Sequence, residues 1–146
     1  PFTPLRKPIT AARLALLTSS GHFVAGDDPQ PFGVKEMTQE EAVRRIGDFL
    51  KAPPQLSAIP IDTPRDRLRV RHGGYDIRGA ERDPNVVLPL DRLRELAGEG
   101  RIGELLPTAY SFVGAAAQTP LLKKSAPQWA RMLQEQGAEA VLMVPV

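Results

Sequence analysis

Arg13-Leu14-Ala15-Leu16-Leu17-Thr18, followed at once by Ser19-Ser20-Gly21-His22, is the stretch from which the rest of the chain can be placed. An unbroken apolar run closed by small polar residues and a glycine reads as a buried strand ending in a tight turn. A strand that is apolar on both sides needs cover on both faces, as in parallel sheets flanked by helices. Helices are signalled at suitable spacing. Thr38 followed by Glu41 is a capping-box signature, and Ala42, Ile46, Phe49 and Leu50 then share one face, so Thr38–Leu50 reads as a helix stopped by Pro53-Pro54. Pro89–Ala97 reads as another, with Leu90, Leu93 and Leu96 inward and Gly98 and Gly100 behind it. Ser125 is the expected cap of a further helix, with Pro127 in its first turn, Trp129, Ala130 and Leu133 buried, and Gly137 as its stop. Leu68–His72 and Thr108–Val113 read as strands, Asn85–Leu88 as a short apolar run, and Ala140–Val144 as a strand expected at the centre of the sheet.

Strands alternating with helices predict an α/β layered fold, Rossmann or flavodoxin-like, with a mostly parallel sheet. The reading is of a single α/β domain over 1–146, a fragment of a longer chain, with room for the fold to be incomplete at the C-terminus. In such folds ligands bind beyond the carboxyl ends of the strands. That rule directs attention to Ser19–His22, to Phe112–Gln118 and to whatever follows Val146.

Composition narrows the chemistry. The chain has 42% hydrophobic and 25% charged residues, values of an ordinary globular domain, and 19 basic against 17 acidic residues leave a net charge of only +2. Neither that balance nor 5% aromatics suits a nucleic-acid surface. No apolar run approaches the roughly 18 residues of a membrane span, and no signal-peptide core is visible, so a cytoplasmic location is expected. There is no cysteine, which excludes thiolate chemistry from these residues, and with two histidines a three-histidine metal site is impossible. Neither a metal nor a cofactor is expected.

Several constellations are candidates for function. Ser19, Ser20, Gly21 and His22 follow the first strand, where hydroxyls and turn N–H groups can hold a carboxylate or phosphate, or simply form a polar turn. Glycine spacing and the absence of a lysine rule out a P-loop. Ser111 and Gly114 lie in Tyr110-Ser111-Phe112-Val113-Gly114, where small residues let a ligand approach the backbone or let a helix pack tightly. His72 and Asp76, separated by Gly73-Gly74-Tyr75, could move a proton between them, although the spacing does not enforce contact and a structural histidine is the simpler reading. Arg65, Arg67, Arg69 and Arg71 alternate with other residues and would share one face if extended, as an anion or partner site or as a solvated strand face. Asp83-Pro84-Asn85 reads as a turn.

Taken in order, Phe2-Thr3-Pro4, Lys7-Pro8-Ile9, Ala12–Thr18, Arg69-Val70-Arg71-His72, Tyr75-Asp76, Asp83–Leu96, Gly100-Arg101-Ile102-Gly103, Tyr110–Gly114 and Gly137–Val146 resemble the selenoprotein B family of glycine, betaine and sarcosine reductase, with its D-proline reductase relatives. The likeness runs along nearly the whole chain and is most specific at Asp83–Leu96 and Val141–Val146. It implies an oxidoreductase component that cleaves a C–N bond reductively. A cysteine or selenocysteine placed just after a strand like Val141–Val146 would attack the substrate α-carbon and expel the amine, and a nearby cysteine would help resolve the product. On this reading Ser19, Ser20, Gly21, His22, Ser111 and Gly114 line the substrate site, and His72 and Asp76 handle protons. The partners implied are a small amino-acid-derived substrate and either a reductase partner subunit or a second copy of the chain, with neither nucleic acid nor membrane. The redox residue would directly follow Val146; truncation, a selenocysteine codon read as a stop, and a member that only binds all stay open. The alternative is a non-catalytic module of the same fold that binds a small carboxylate or another protein.

Overall fold

The computed structural model describes residues 3–146; Pro1 and Phe2, the latter part of the family-like opening, lie outside the described residues. At the centre stands β1 (Leu14–Thr18), the apolar run that opened the sequence. It pairs in parallel with β5 (Thr108–Ser111) on one side and β6 (Ala140–Val144) on the other, while β3 (Ser57–Pro60) adds antiparallel to β5, giving the order β3-β5-β1-β6. The fold is therefore mixed α/β with a mostly parallel four-stranded sheet.

Alternation along β1 explains why its apolar run is continuous. Leu14 and Leu16 point into one core with Ile59, Leu88, Leu90 and Leu93, whereas Ala15 points into a second with Leu106, Tyr110 and Leu133. The first core is covered by α4 (Leu90–Gly98), whose Leu90 and Leu93 are buried, and the second by α6 (Ala126–Glu135) through Leu133. Leu16 is 2% exposed, and burying such a side chain contributes about 1.5–3 kcal/mol. Leu16→Ala should accordingly lose about 2–5 kcal/mol of unfolding free energy in a urea titration, more than the ~1 kcal/mol of an average substitution.

A separate antiparallel ribbon joins β2 (His22–Val24) to β4 (Leu68–Val70), with His22 opposite Val70 and Val24 opposite Leu68. It carries the chain away from the carboxyl end of β1 and folds the Leu68–His72 region back beside it. Among the described residues no helix is long and apolar enough to cross a membrane.

Five sequence expectations are corrected. Among the described residues the strand 140–144 stands at the edge of the sheet, not its centre; Val141, Leu142 and Met143 are 41%, 37% and 69% exposed. The helix expected over 38–50 divides into α1 (Gln39–Arg44) and α2 (Ile46–Phe49) at Arg45, whose ψ of 14° leaves the helical range. Thr38 does cap it, its hydroxyl accepting the Glu41 N–H at 3.2 Å, but Leu50 faces solvent. Ser125 is no cap: its backbone is helical, and it closes a π-helical segment, Leu121–Ser125, that joins α5 (Gln118–Pro120) to α6. The strands expected over 68–72 and 108–113 end at Val70 and Ser111. Finally, the arginine stripe does not form, because Pro64 starts a 3-10 turn at Arg65–Arg67.

The candidate site at the carboxyl ends of the parallel strands

Because β1, β5 and β6 run in parallel, Thr18, Ser111 and Val144 end at the same side of the sheet. The turn after β1 is locked to both neighbours. Ser19 donates its N–H to the Val144 carbonyl at 3.1 Å, and Gly21 donates to the Phe112 carbonyl at 2.9 Å. Gly21 has φ of +76°, a conformation that favours glycine, and its carbonyl accepts the Arg71 N–H at 3.1 Å. It is thus pinched between the end of β5 and the end of β4.

Ser20, His22 and Ser111 form an enclosed polar cluster. Ser20 Oγ lies 2.8 Å from His22 Nδ1 and 3.5 Å from Ser111 Oγ, which accepts the His22 backbone N–H at 2.9 Å. All three residues are essentially inaccessible. Burial lowers the His22 imidazole to about 4, so the ring is neutral near neutral pH.

His72 approaches the same turn from the other side. Gln39 clamps its backbone twice, accepting the His72 N–H at 3.1 Å and donating to its carbonyl at 2.8 Å. In the ring, Nδ1 accepts the Gly74 N–H at 2.9 Å, while Nε2 lies 3.2 Å from the Gly114 nitrogen. A neutral imidazole accepts at one nitrogen only. The Gly114 N–H is shared between His72 Nε2 and the Ser19 carbonyl, the latter at 3.0 Å, so both ring nitrogens face a backbone N–H. Burial lowers His72 to about 4 as well. It is therefore a neutral imidazole whose Nε2 edge faces the Ser19–Gly114 corner. Tyr75 packs on it, ring centroids 4.8 Å apart, and donates its hydroxyl to the Ser20 carbonyl at 3.0 Å; burial pushes that phenol up to about 12.

At this corner the end of β6 also arrives: the Val146 N–H donates to Ser19 Oγ at 2.9 Å. Beside it opens a cavity of about 290 Å³ whose wall includes Gly21, Phe23, Phe32, Phe49, Arg71 and Phe112. Arg71 is buried, ion-paired to Asp28 at 2.6 Å, bonded to the Met37 carbonyl at 3.1 Å, and set over the Phe23 ring at 5.0 Å.

The structure thus brings together Ser19, Ser20, Gly21, His22, Ser111 and Gly114, with His72 joining them. Asp76 stays apart. It is exposed, held by Arg78 at 2.9 and 3.0 Å, and that contact keeps its carboxyl near 2. The arginines are scattered: Arg65 binds Asp91, Arg67 the Ala25 carbonyl, Arg69 the Asp66 and Leu68 carbonyls, and only Arg71 reaches the cavity with the aromatic wall. Sequence reasoning did not find Asp28, Gln39 or the role of Tyr75. Among the described residues no group of three or more His, Cys, Asp or Glu side chains could hold a metal ion.

The histidines set an acid limit. Each has a folded-state pKa near 4 against 6.5 when unfolded, so between those values the unfolded chain binds protons that the folded one does not. Stability is then fully present above about pH 6.5 and is lost as pH falls toward 4, by roughly 3 kcal/mol from His22, with His72 acting in the same direction. Urea midpoints measured from pH 7.5 down to 4.5 should fall steadily, and His22→Gln should flatten that slope.

Comparison with known proteins converges on one family. The family model for glycine/sarcosine/betaine reductase selenoprotein B matches residues 3–146. The D-proline reductase subunit gamma of Acetoanaerobium sticklandii is 31% identical over 143 residues, covering 97% of this chain and 52% of the relative. The glycine reductase complex component B subunit gamma of Carboxydothermus hydrogenoformans is 30% identical over 98% of this chain and 30% of its own length. The sarcosine reductase complex component B subunit beta of Peptoclostridium acidaminophilum is also 30% identical, over the same shares. The chain therefore spans about half of the first relative and under a third of the other two. No solved structure matches it.

Proposed function

This chain belongs to the glycine/sarcosine/betaine reductase selenoprotein B family, and from that premise we propose that it forms the substrate-holding part of a reductase component. The substrate is a small amino-acid-derived molecule, and the reaction is reductive cleavage of its C–N bond by a cysteine or selenocysteine that directly follows Val146. The observation that carries this reading is the Val146 N–H bonded to Ser19 Oγ. That bond brings the Val146 backbone to the carboxyl ends of β1 and β5, beside Gly114 and the Nε2 edge of His72, which supports the reading.

Each neighbour then has a task. Ser19 and Gly114 frame the reacting corner, where small residues leave room for substrate beside the backbone. Gly21 gives onto the aromatic cavity. Ser20, Ser111 and His22, enclosed and bonded to one another, hold the turn in place. As the thiolate or selenolate bonds to the α-carbon, the C–N bond breaks and the amine leaves with the bonding pair and takes up a proton. His72, neutral, contributes a hydrogen bond at its Nε2 edge to the nucleophile or the departing group rather than a positive charge. Asp76 has no part in this geometry. Other subunits of a reductase complex would supply the electrons, as suits relatives named as subunits of such complexes.

In the full-length protein, His72→Gln should lower kcat for amine release by about 10–100-fold while leaving the circular dichroism spectrum unchanged. An unaltered kcat would remove His72 from the reaction. Binding of substrate with no amine release, in a full-length protein that carries the nucleophile, would favour the non-catalytic carboxylate-binding reading instead.

A further inference from the structure

The cavity beside the reacting corner is walled by rings. Phe23, Phe32, Phe49 and Phe112 line a space of about 290 Å³, together with four prolines. Its lining runs into the corner on three separate segments. Gly21 lines it two residues after Ser19, Val113 and Ala115 line it on either side of Gly114, and Arg71 lines it next to His72 in the chain. Whatever stands at Ser19, Gly114 and His72 therefore has this space as its neighbour.

The backbone is held in a disfavoured conformation to build that wall. Among the described residues, the non-glycine residues with left-handed backbone are Gln30, Phe32 and Glu36, at φ of 48°, 57° and 53°, all in one loop. A bulky residue avoids that region unless its surroundings impose it. The Phe32 ring meets Phe49 edge-on, centroids 4.9 Å apart, with the Arg45 guanidinium 4.6 Å from its centroid. Even so, Phe32 remains 39% exposed. The loop thus sets a ring against the cavity without burying it, which serves an occupant better than it serves the core.

Charge decides what kind of group fits. Among the described residues, Arg71 is the one ionised side chain on the wall, and no carboxylate lines it. Arg71 is already paired with Asp28 at 2.6 Å, so it has little to offer an anion. Its guanidinium over Phe23, and that of Arg45 over Phe32, take ring faces that a cation would seek and repel a further positive charge. An uncharged apolar group remains. An apolar cavity of about 150 Å³ holds benzene, so this one has room for a ring.

We propose that the cavity receives an uncharged apolar group of the substrate. The substrate class is then an amino-acid derivative that carries a hydrocarbon ring or branched chain, on its α-carbon or on its nitrogen. Glycine would leave the cavity empty, and a quaternary ammonium would meet two guanidinium groups. This substrate class rests on the reductase reading, which places the reaction at the neighbouring corner.

The test uses the full-length protein and two readouts. Binding of fluorobenzene, followed by fluorine NMR, should be saturable. Ala52→Leu, which fills the cavity, should weaken it about tenfold. Phe32→Gly, which removes a ring and relieves the backbone, should weaken it about as much. Ala58→Leu, at an exposed residue outside the lining, should not. Tetramethylammonium should not displace the probe. In single-turnover amine release, phenylalanine or N-benzylglycine should react about tenfold faster than glycine, and Ala52→Leu should erase that advantage. No saturable binding, displacement by tetramethylammonium, or equal weakening by Ala52→Leu and Ala58→Leu would overturn the apolar site, whatever the reaction proves to be. Faster release from glycine than from both ring compounds would overturn its part in substrate choice. Saturable binding with no amine released from any of them would overturn the reductase reading, and the substrate role with it, while the apolar site stands.

Discussion

Gly21→Ala should destabilise the protein by about 3–5 kcal/mol and carry the candidate site away with it. Two independent effects coincide at this residue. Its φ of +76° is a left-handed conformation that strains an alanine, and a Cβ built there would be driven into the Arg71 carbonyl oxygen, well inside contact distance. The obstacle is backbone, so no side chain can rotate aside; the end of β4 would have to move from the turn after β1. Stability of a domain this size is about 5–15 kcal/mol, so the variant should unfold at much lower urea or fail to accumulate. Gly79→Ala is the matching control. It lies in α3 (Arg78–Arg82) with open space around its Cβ position, and should be neutral or stabilising by up to about 1 kcal/mol.

Arg71→Met is expected to cost about 3–5 kcal/mol, because it strands the Asp28 carboxylate at a nearly buried position. Asp28 is only 14% exposed in its side chain and relies on Arg71 for its low pKa, through the side-chain hydrogen bond first, with backbone N–H groups of Gln30 and Glu36 adding to it. Methionine can replace much of the aliphatic packing against Phe23 but neither the charge nor the bond to the Met37 carbonyl. Converting Asp28 to Asn in the same chain should return part of the loss, and the double-mutant cycle in urea should give a coupling of about 0.5–3 kcal/mol. Additive effects would mean that the pair contributes little.

Arg71 also shows where sequence reading reached its limit. Alternating arginines over 65–71 satisfy the strand pattern, yet Pro64 turns the first part into a 3-10 bend and the chain leaves β4 after Val70. The partner of Arg71 lies 43 residues away in a loop with no periodic signal. The same holds for His72, whose contacts to Gln39 and Gly114 span 33 and 42 residues, whereas Asp76, the neighbour that sequence proximity suggested, turns to Arg78. Legible features were those encoded within one element: the double-faced apolar run of β1, the Thr38 cap, and the inward leucines of α4. The order of strands is not encoded that way. Val141–Val144 is as apolar as a central strand, and only the pairing of β1 with both β5 and β6 reveals that it is an edge. The turn Ser19–His22 was found by rule, since parallel strands bring their carboxyl ends together whatever their order. Ser111, Gly114 and His72 were also named from the sequence, whereas the parts of Gln39 and Tyr75 in holding this corner could be found only in three dimensions.

The central claim is that the reacting atom belongs immediately after Val146, at the corner made by Ser19, Gly114 and His72. The most direct test is to mix the reduced full-length protein with isotopically labelled substrate candidates (glycine, sarcosine, betaine and D-proline) and map the covalent adduct by peptide mass spectrometry. A substrate-derived adduct is expected on a cysteine or selenocysteine that directly follows Val146, with less of it in His72→Gln. An adduct on any other residue, or a residue at that position without a thiol or selenol, would contradict it.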